Sequence, residues 1–149
     1  MRAVVQRVKS SSVAVDGKIT GSIQQGLMVL IGVEKEDTEK DCEYIAKKIS
    51  ALRVFDDEDG IMNLSIRETG GEVLAVSQFT LLGDARKGNR PSYFNAADPE
   101  KAIRLYNITV EIIRKNGIKV EEGIFQAEMM VEITNDGPVT ILLDSHKLF

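Results

Sequence analysis

Cysteine and histidine are nearly absent from this chain: Cys42 is the only cysteine and His146 the only histidine. A single cysteine excludes an internal disulfide and a metal site built from several cysteines. A single histidine likewise excludes a multi-histidine metal site. Cys42 is followed at helical spacing by Ile45, Ile49 and Leu52, so we expect it to pack on the core face of a helix. For His146 we expect a surface or packing role.

Motifs for histidine-dependent or metal-dependent hydrolysis are missing as well. A Ser-His-Asp triad would have to use His146, and no Gly-X-Ser-X-Gly segment accompanies it. The acidic run Asp56–Gly60 lacks the full spacing of a calcium loop, and we interpret it as a solvated turn. The sequence therefore predicts no metal and no cofactor.

Long apolar runs are also missing. The chain has no stretch of 18 consecutive apolar residues and no N-terminal apolar segment long enough for a signal peptide. Hydrophobic residues at 43% and charged residues at 28% are ordinary for a globular protein. We therefore expect one domain over residues 1–149, located in the cytoplasm and without a membrane partner.

Strand patterns dominate, and only two segments have a helical pattern. One helix is expected from the cap at Thr38 to about Leu52, and a second begins at Asp98-Pro99 and ends at Asn116-Gly117. Predicted strands cover 2–8 and 12–15, the latter ending in an Asp16-Gly17 hairpin turn, then 27–33 (buried on both faces), 73–81, and three short strands within 119–143. This order predicts the α+β class, with a strongly curved mixed sheet or open barrel and two outer helices.

Two segments carry polar or turn-forming residues where the pattern predicts strands. Ser77-Gln78-Phe79-Thr80 ends an apolar run with side chains that can hydrogen-bond, so it either lines a site or leaves the core for solvent. Asn135–Thr140 places Gly137-Pro138 between two β-branched runs. That pair fits an ordinary hairpin turn, or a special backbone with a cis X-Pro bond.

Together these two segments resemble the D-aminoacyl-tRNA deacylases, which carry a Ser-Gln-Phe-Thr strand and an Asn-X-Gly-Pro-Val-Thr segment. Shorter matches follow the order of that family along the whole chain: Gln6-Arg7-Val8, Ser12-Val13, Gly26-Leu27, Gly32-Val33-Glu34, Met62-Asn63-Leu64, Gly70-Gly71, Arg90-Pro91-Ser92, and Phe125 with Ala127 and Met129.

The resemblance implies an activity and a means of chiral selection. It implies a homodimer that hydrolyses the ester of D-aminoacyl-tRNA, and also of glycyl-tRNA, with the site near the subunit interface. Gly137-Pro138, within a motif completed by Val139 and Thr140, would be cis and project its carbonyls into the partner's pocket. Those carbonyls would hold the substrate's amino group and exclude an L side chain, while a D side chain points to solvent.

The chemistry must proceed without histidine, thiol or metal. An aminoacyl ester is already activated, so water attack mainly needs positioning and stabilisation of the oxyanion. Candidates lie at Ser77, Gln78, Phe79 and Thr80, with the backbone groups of Phe79 and Thr80 first. The Thr80 hydroxyl is an alternative covalent nucleophile, although no base is evident for it. The resemblance instead implies assistance by the terminal 2′-hydroxyl of the RNA.

Binding of the tRNA end is assigned to two further segments. Phe125, Ala127 and Met129 are expected to shape a pocket for the terminal adenosine, or else to be alternate residues on one core face of a strand. The loop Arg86–Arg90 supplies Arg86, Lys87 and Arg90 for phosphate contact despite a net charge of −4, or it is a solvated loop. Two other functions stay open: a non-catalytic module that binds tRNA or a D-amino acid, and a structural dimerisation protein.

Overall fold

The chain alternates strands and helices, and the computed structural model describes residues 1–149. In chain order the elements are β1 (Arg2–Val15), β2 (Lys18–Ile23), β3 (Gly26–Gly32), α1 (Glu39–Ala51), β4 (Arg53–Asp56), β5 (Met62–Ser65), α2 (Ile66–Thr69), β6 (Glu72–Ser77), a 3-10 turn (Phe79–Leu82), α3 (Pro99–Lys115), β7 (Val120–Glu122) and β8 (Met130–Asp144).

Strand β1 organises a mixed sheet of six strands in which β2, β1, β3, β6 and β7 are successive neighbours and β8 also pairs with β1. The β3–β6 and β6–β7 pairs are parallel, and the pairs that involve β1 are antiparallel. Strands β2 and β7 nearly meet, because a Cβ atom at Gly21 would lie only 2.6 Å from the Glu122 carbonyl oxygen. The curved sheet or open barrel predicted from the sequence is confirmed.

Residues on the two faces of β3 belong to two different hydrophobic clusters. Leu27, Val29 and Ile31 pack in the large core beneath α1 and α3, and Met28 packs in a smaller cluster with residues of β1, β2 and β6. The predicted burial of this strand on both faces is confirmed. None of the helices combines the length and apolar character that crossing a membrane requires.

Both predicted outer helices are present, with the caps that the sequence indicated. The Thr38 amide donates to the Asp41 carboxylate at 2.8 Å at the start of α1, and the Asp98 carboxylate accepts from the Lys101 amide at 3.0 Å at the start of α3. Cys42 is fully buried on α1, as predicted. The count of two helices is corrected by α2, whose single turn begins with a capping box between Ser65 and Glu68.

Three strand predictions are corrected. The predicted strands 2–8 and 12–15 form one continuous strand, β1, and the Asp16-Gly17 turn after it is confirmed by positive φ angles of 51° and 76°. The strand predicted to reach residue 81 ends at Ser77, because the chain then enters the 3-10 turn. Between 119 and 143 there are two strands rather than three, since β8 is continuous.

The acidic run between β4 and β5 is a solvated hairpin turn, as predicted. The Asp57 carboxylate accepts the amides of Asp59 and Ile61 at 2.9 and 3.0 Å, which holds the turn closed. These hydrogen bonds lower the pKa of Asp57 below its ordinary value, with the Ile61 amide as the largest contribution. The two short strands that flank the turn were not predicted.

Candidate active site

A mainly apolar pocket of about 540 Å³ lies between the carboxyl end of β6, the beginning of α3 and the segment that leads into β8. Residues of five segments line it: Leu30, Ile31 and Val33; Val76, Ser77, Gln78 and Phe79; Ala97, Pro99, Ala102 and Tyr106; Phe125, Gln126, Ala127 and Met129; and Val131. The structure thus brings Ser77, Gln78 and Phe79 together with Phe125, Ala127 and Met129 around one cavity.

The polar edge of this pocket is formed where β6 turns into the 3-10 turn. The Gln78 amide completes the sheet by donating to the Ile31 carbonyl at 2.8 Å, and the Leu81 amide donates to the Gln78 carbonyl at 3.4 Å. The first amides of a helical turn have no acceptor within it. The amides of Phe79 and Thr80 are therefore available to a ligand at the pocket edge.

Thr80 lies beside the pocket rather than in its lining, and its side chain is exposed. The one histidine of the chain does not serve it as a base, since His146 Nε2 lies 3.1 Å from the Asp37 carboxylate. The geometry therefore favours a backbone role for Thr80 over a nucleophilic hydroxyl.

The 3-10 turn is fixed from two directions. A Cβ atom at Gly32 would lie 2.6 Å from Leu82 Cδ2 and 2.9 Å from the Gln78 carbonyl oxygen, so the turn packs directly on the backbone of β3. From the other side, Arg2 donates to the Leu81 carbonyl at 3.2 Å and pairs with Asp144 at 3.1 Å. Sequence reasoning missed Arg2, because an arginine at the start of a strand gives no sign of a partner 79 residues away.

The apolar wall opposite the 3-10 turn comes from a turn, not from a strand. The Ala127 amide donates to the Ile124 carbonyl at 3.2 Å, and Gln126 has a φ of 61°. Phe125 and Ala127 therefore face the pocket because the chain reverses, and the interpretation of them as alternate residues on one strand face is wrong.

Tyr106 of α3 closes the pocket from below. Its hydroxyl donates to the Ala75 carbonyl at 3.0 Å, and burial raises the pKa of Tyr106 well above its ordinary value. At neutral pH this side chain is a neutral hydrogen-bond donor that is already engaged, so it acts as part of the wall.

Gly137-Pro138 lies outside this pocket, on the exposed edge of β8. The Gly137–Pro138 bond is cis, and the hairpin-turn interpretation of the segment is wrong because the chain does not reverse there. Instead Asp136–Val139 bulge out opposite Arg7 of β1, whose neighbours Gln6 and Val8 pair with β8 on either side.

Asn135 holds this bulge in shape. Its side-chain carbonyl accepts the Val139 amide at 3.0 Å, and its side-chain amide donates to the Thr140 hydroxyl at 3.1 Å. The Arg7 guanidinium supports it from beneath by donating to the Asp136 carbonyl at 3.2 Å. Gly137 and Pro138 are consequently presented outward on a braced segment.

The basic loop forms a second cleft of about 700 Å³, lined by Asp84, Arg86, Lys87, Arg90, Ser92, Phe94 and Asn95. Arg86 is already engaged, because it contacts both carboxylate oxygens of Asp84 at 2.9 and 2.6 Å. That pairing holds the pKa of Asp84 well below its ordinary value. Lys87 and Arg90 are exposed and form no ion pair, so they are the free cations of the loop.

One group of potential metal ligands exists away from the pocket. Ligand atoms of Glu34, Asp37 and His146 lie within 4.8 Å of one another. Asp37 is fully buried there, and its carboxylate already binds the α-ammonium group of Met1 at 2.5 Å and the Glu34 amide at 2.6 Å. The protein's own ammonium group thus balances this charge, and His146 packs at the edge of the cluster.

Comparison with known proteins places the chain in a family. Residues 4–144 match the family described as D-Tyr-tRNA(Tyr) deacylase. The chain belongs to this family. It is 59% identical to the D-aminoacyl-tRNA deacylase of Thermotoga petrophila and 60% identical to that of Caldicellulosiruptor saccharolyticus, in both cases over 100% of each chain. As a member of a deacylase family, the chain is a hydrolase.

Solved structures of similar proteins support the fold of this deacylase family member. The c-Myc DNA Unwinding Element Binding Protein aligns with a TM-score of 0.91 at 44% identity, over 97% of this chain and 98% of that one. A structure described as a probable eukaryotic D-amino acid tRNA deacylase aligns with a TM-score of 0.81 at 16% identity, over 95% and 97% of the two chains, which bears on the fold alone.

Proposed function

We propose that this protein hydrolyses the ester bond of D-aminoacyl-tRNA, releasing the D-amino acid and free tRNA as a proofreading step of translation in the cytoplasm. Family membership and full-length identity to relatives that bear this name support the reaction. The observation that supports this pocket as the place of the reaction is the pair of free backbone amides at Phe79 and Thr80, which lie at its edge.

The reaction needs few groups from the protein. Water adds to the ester carbonyl, the carbonyl oxygen becomes an oxyanion, and the bond to the ribose oxygen then breaks. The Phe79 and Thr80 amides stabilise the oxyanion, a contribution of about 3 kcal/mol for one such donor. Ser77 and Gln78 orient the ester, and the terminal 2′-hydroxyl of the RNA assists the attacking water. The attacking water gives one proton to the 2′-hydroxyl, and the 2′-hydroxyl gives its own proton to the departing ribose oxygen, so that both hydroxyls of the terminal ribose are restored.

Chiral selection requires a second copy of the chain in this proposal. Gly137 and Pro138 do not line the pocket of their own chain, yet they lie on a braced segment of β8 that faces outward. Large apolar side chains are exposed on the same strand: Met130 at 74%, Ile133 at 39% and Leu142 at 55%. A homodimer formed through β8 would cover them and carry Gly137-Pro138, with Val139 and Thr140, to the partner's pocket.

Selection then follows from a rigid wall. Backbone carbonyls at Gly137 and Pro138 hold the substrate's amino group and leave no room for an L side chain, whereas a D side chain points to solvent. Any D-amino acid is accepted under this scheme. Glycine has no side chain to exclude, so glycyl-tRNA is also a substrate.

The tRNA end is held at two places in this proposal. The terminal adenosine occupies the apolar wall at Phe125, Ala127 and Met129. The phosphate backbone lies along the basic loop, where Lys87 and Arg90 supply the free charge and Arg86 braces the loop through Asp84.

The test is deacylation of matched D-tyrosyl-tRNA and L-tyrosyl-tRNA by the purified protein in the presence of a metal chelator, with glycyl-tRNA as a third substrate. We expect rapid loss of the D-ester, persistence of the L-ester and measurable loss of the glycyl ester. Equal slow loss of the D- and L-esters would refute the proposal.

A second function of another class is favoured by one observation. The structure with 44% identity bears the name of a nucleic-acid-binding protein rather than a hydrolase. A module that binds the tRNA end without turnover would retain D-tyrosyl-tRNA on a filter without releasing tyrosine, so ester release separates the two functions. A purely structural dimer would show neither effect.

A further inference from the structure

The second cleft contains an aromatic side chain that the proposed chemistry does not use. Phe94 is 79% exposed, the highest value among the large hydrophobic side chains of the chain. Covering so large an apolar side chain with a ligand would remove its surface from water, which favours binding. The rest of the cleft is polar or charged: the Asp84 carboxylate is paired with Arg86, and the other neighbours are Lys87, Arg90, Ser92 and Asn95.

Phe94 is presented by a braced segment rather than by a loose loop. The Tyr93 carbonyl accepts the Ala96 amide at 3.0 Å, and the Asn95 carbonyl accepts the Lys35 amide at 3.0 Å. Just before them, Ser92 and Asp84 exchange two backbone hydrogen bonds of 2.9 and 2.8 Å. The backbone that carries the ring is therefore held in place before any ligand binds.

One face of the ring is occupied and the other is available. The Lys35 ammonium group lies 3.5 Å from the centroid of the Phe94 ring, a cation–π contact that covers one face. Since the side chain is still largely exposed, the opposite face is open to solvent. A flat apolar group can stack there.

One aromatic contact links the segment that carries Phe94 to the first pocket. Tyr93 packs edge-on against Phe79 with ring centroids 5.1 Å apart, and Phe79 lines the first pocket. Ala97, three residues after Phe94, lines that pocket as well. A chain of nucleotides that places its terminal residue in the first pocket can therefore reach Phe94 with the nucleotide before it.

We propose that the open face of Phe94 stacks the base of the nucleotide that precedes the terminal adenosine, while Lys87 and Arg90 bind the phosphates on either side of that nucleotide. Single-stranded RNA suits this surface, because stacking on an aromatic ring beside free cations is how such strands are bound without a requirement for base sequence. The inference rests on the proposed function for its choice of ligand.

The first experiment compares two esters that differ only in length. D-tyrosyl-tRNA spans both clefts, whereas the D-tyrosyl ester of adenosine reaches only the first pocket. For Phe94→Leu we expect KM for D-tyrosyl-tRNA to rise by about 5- to 100-fold with kcat retained, since one stacked base contributes a factor of this size to affinity. Hydrolysis of the adenosine ester by Phe94→Leu should be unchanged. The variant Phe94→Trp, which keeps an aromatic ring, should have the low KM of the wild-type protein for D-tyrosyl-tRNA.

Phe149→Leu is the matched control, because Phe149 is also an exposed aromatic, at 63%, and lies in neither cleft. It should behave as wild type towards both esters. An equal effect of Phe94→Leu on the two esters, or no effect on either, would overturn the inference.

A binding measurement keeps the inference testable if the wild-type protein cleaves neither ester, which would refute the proposed function instead. The probe is the uncharged RNA tetranucleotide ACCA, titrated against the protein and compared with adenosine alone. Phe94→Leu should weaken binding of ACCA by the same factor and leave adenosine unaffected. Arg90→Gln should weaken ACCA binding and reduce its salt dependence, whereas Lys115→Gln on α3 should do neither.

Discussion

Gly137 has a backbone that only glycine adopts without strain. Its φ is 126°, and a Cβ atom would lie 2.8 Å from Val139 Cγ2 and 3.3 Å from the Arg7 guanidinium. For Gly137→Ala we expect the free energy of unfolding to fall by about 1–3 kcal/mol and the bulge to shift. Deacylation of D-tyrosyl-tRNA should be largely lost, because the displaced carbonyls no longer hold the substrate's amino group, and the ratio of D- to L-tyrosyl-tRNA deacylation should fall towards one. Chemical denaturation and the paired deacylation assay measure the two effects.

Gly60 offers a control that also has a positive φ but lacks the clash. Its φ is 74°, and nothing lies within 4 Å of the position that a Cβ would take. Gly60→Ala should cost about 1 kcal/mol and leave the D-to-L ratio as it is in the wild type. A ratio that changed equally in both variants would show that lower stability, not the shape of the bulge, controls selection.

Substitution of the Thr80 side chain distinguishes a backbone role of this residue from a covalent hydroxyl nucleophile. Because the hydroxyl is exposed and the only histidine is engaged with Asp37, we expect Thr80→Val to lower kcat by less than about tenfold. A covalent nucleophile would instead lose about 10⁴-fold or more on the same substitution. Single-turnover deacylation of D-tyrosyl-tRNA by Thr80→Val and Thr80→Ser decides between them.

The bulge of β8 is held by Arg7, which links three elements. The guanidinium donates to the Asp136 carbonyl on β8 at 3.2 Å and to the Val54 carbonyl on β4 at 2.7 Å, and it contacts Asp56 at 3.2 Å. Only 8% of Arg7 is exposed, so its loss would leave these acceptors poorly hydrated. We expect Arg7→Met to lower the free energy of unfolding, measured by urea titration, by about 2–4 kcal/mol.

Lys9 is the control for charge alone on this strand. Its ammonium lies 3.9 Å from the Asp136 carboxylate, and its side chain is 70% exposed. Lys9→Met should cost less than about 0.5 kcal/mol in the same urea titration. A comparable loss in both variants would mean that net charge, rather than the hydrogen bonds of Arg7, stabilises the bulge.

The same element shows what sequence patterns could and could not provide. Asn135–Thr140 has the composition of a turn, and the local signal is correct, because the backbone does depart from a regular strand there. Whether the chain reverses depends on the pairing of β8 with β1, whose residues are about 130 positions away in the sequence. A local pattern carries no information on that pairing.

Other features of the fold were predicted from the sequence, or could have been. The caps at Thr38 and Asp98 and the turn at Asp16-Gly17 depend on a few adjacent residues, and each was predicted correctly. Helix α2 could have been found from Ser65 and Glu68, which have the spacing of a capping box. The convergence of Ser77–Phe79 with Phe125 and Ala127 around one pocket depends on parallel pairing of β6 with β3 and β7, and periodicity does not reveal this.

At the scale of the whole molecule, the titrating groups predict a plateau of stability near neutral pH. Several carboxylates have lowered pKa values, through hydrogen bonds from Lys119 to Glu72, from the Ser65 amide to Glu68 and from Arg86 to Asp84. A lowered pKa contributes stability that is complete above the unfolded value of about 4 and is lost as the pH falls through the folded value. We therefore expect Tm to decrease when the pH is lowered beyond about 4.5.

Tyr106 determines how stability changes at alkaline pH. Its pKa is raised by burial, so its contribution is complete below the unfolded value of about 10 and is lost as the pH rises further. Calorimetry between about pH 3 and pH 11 should show Tm falling at both ends, with the alkaline fall reduced in Tyr106→Phe. A Tm that rose on acidification would contradict the assignment of these carboxylates.

The proposed dimer makes each pocket depend on two chains, and mixing experiments test this directly. Gly137→Ala disturbs the bulge and leaves the pocket of its own chain intact, whereas Ala127→Trp fills the pocket and leaves the bulge intact. If Gly137-Pro138 serves the partner's pocket, a heterodimer of the two variants contains one complete site. Two inactive preparations, unfolded together and refolded, should then regain about a quarter of wild-type D-tyrosyl-tRNA deacylation, since half the dimers are mixed and each has one of two sites.

If Gly137-Pro138 instead acts on the pocket of its own chain, the refolded mixture should regain no activity. Every chain would then have either a disturbed bulge or a filled pocket. Refolding each variant alone is the control and should give no gain. Ile133→Asp, which places a charge on the exposed face of β8, should make the otherwise wild-type chain monomeric in sedimentation and remove chiral discrimination together. A monomer that still distinguished D- from L-tyrosyl-tRNA would show that each chain selects chirality by itself, and that β8 is not where the second half of the site is supplied.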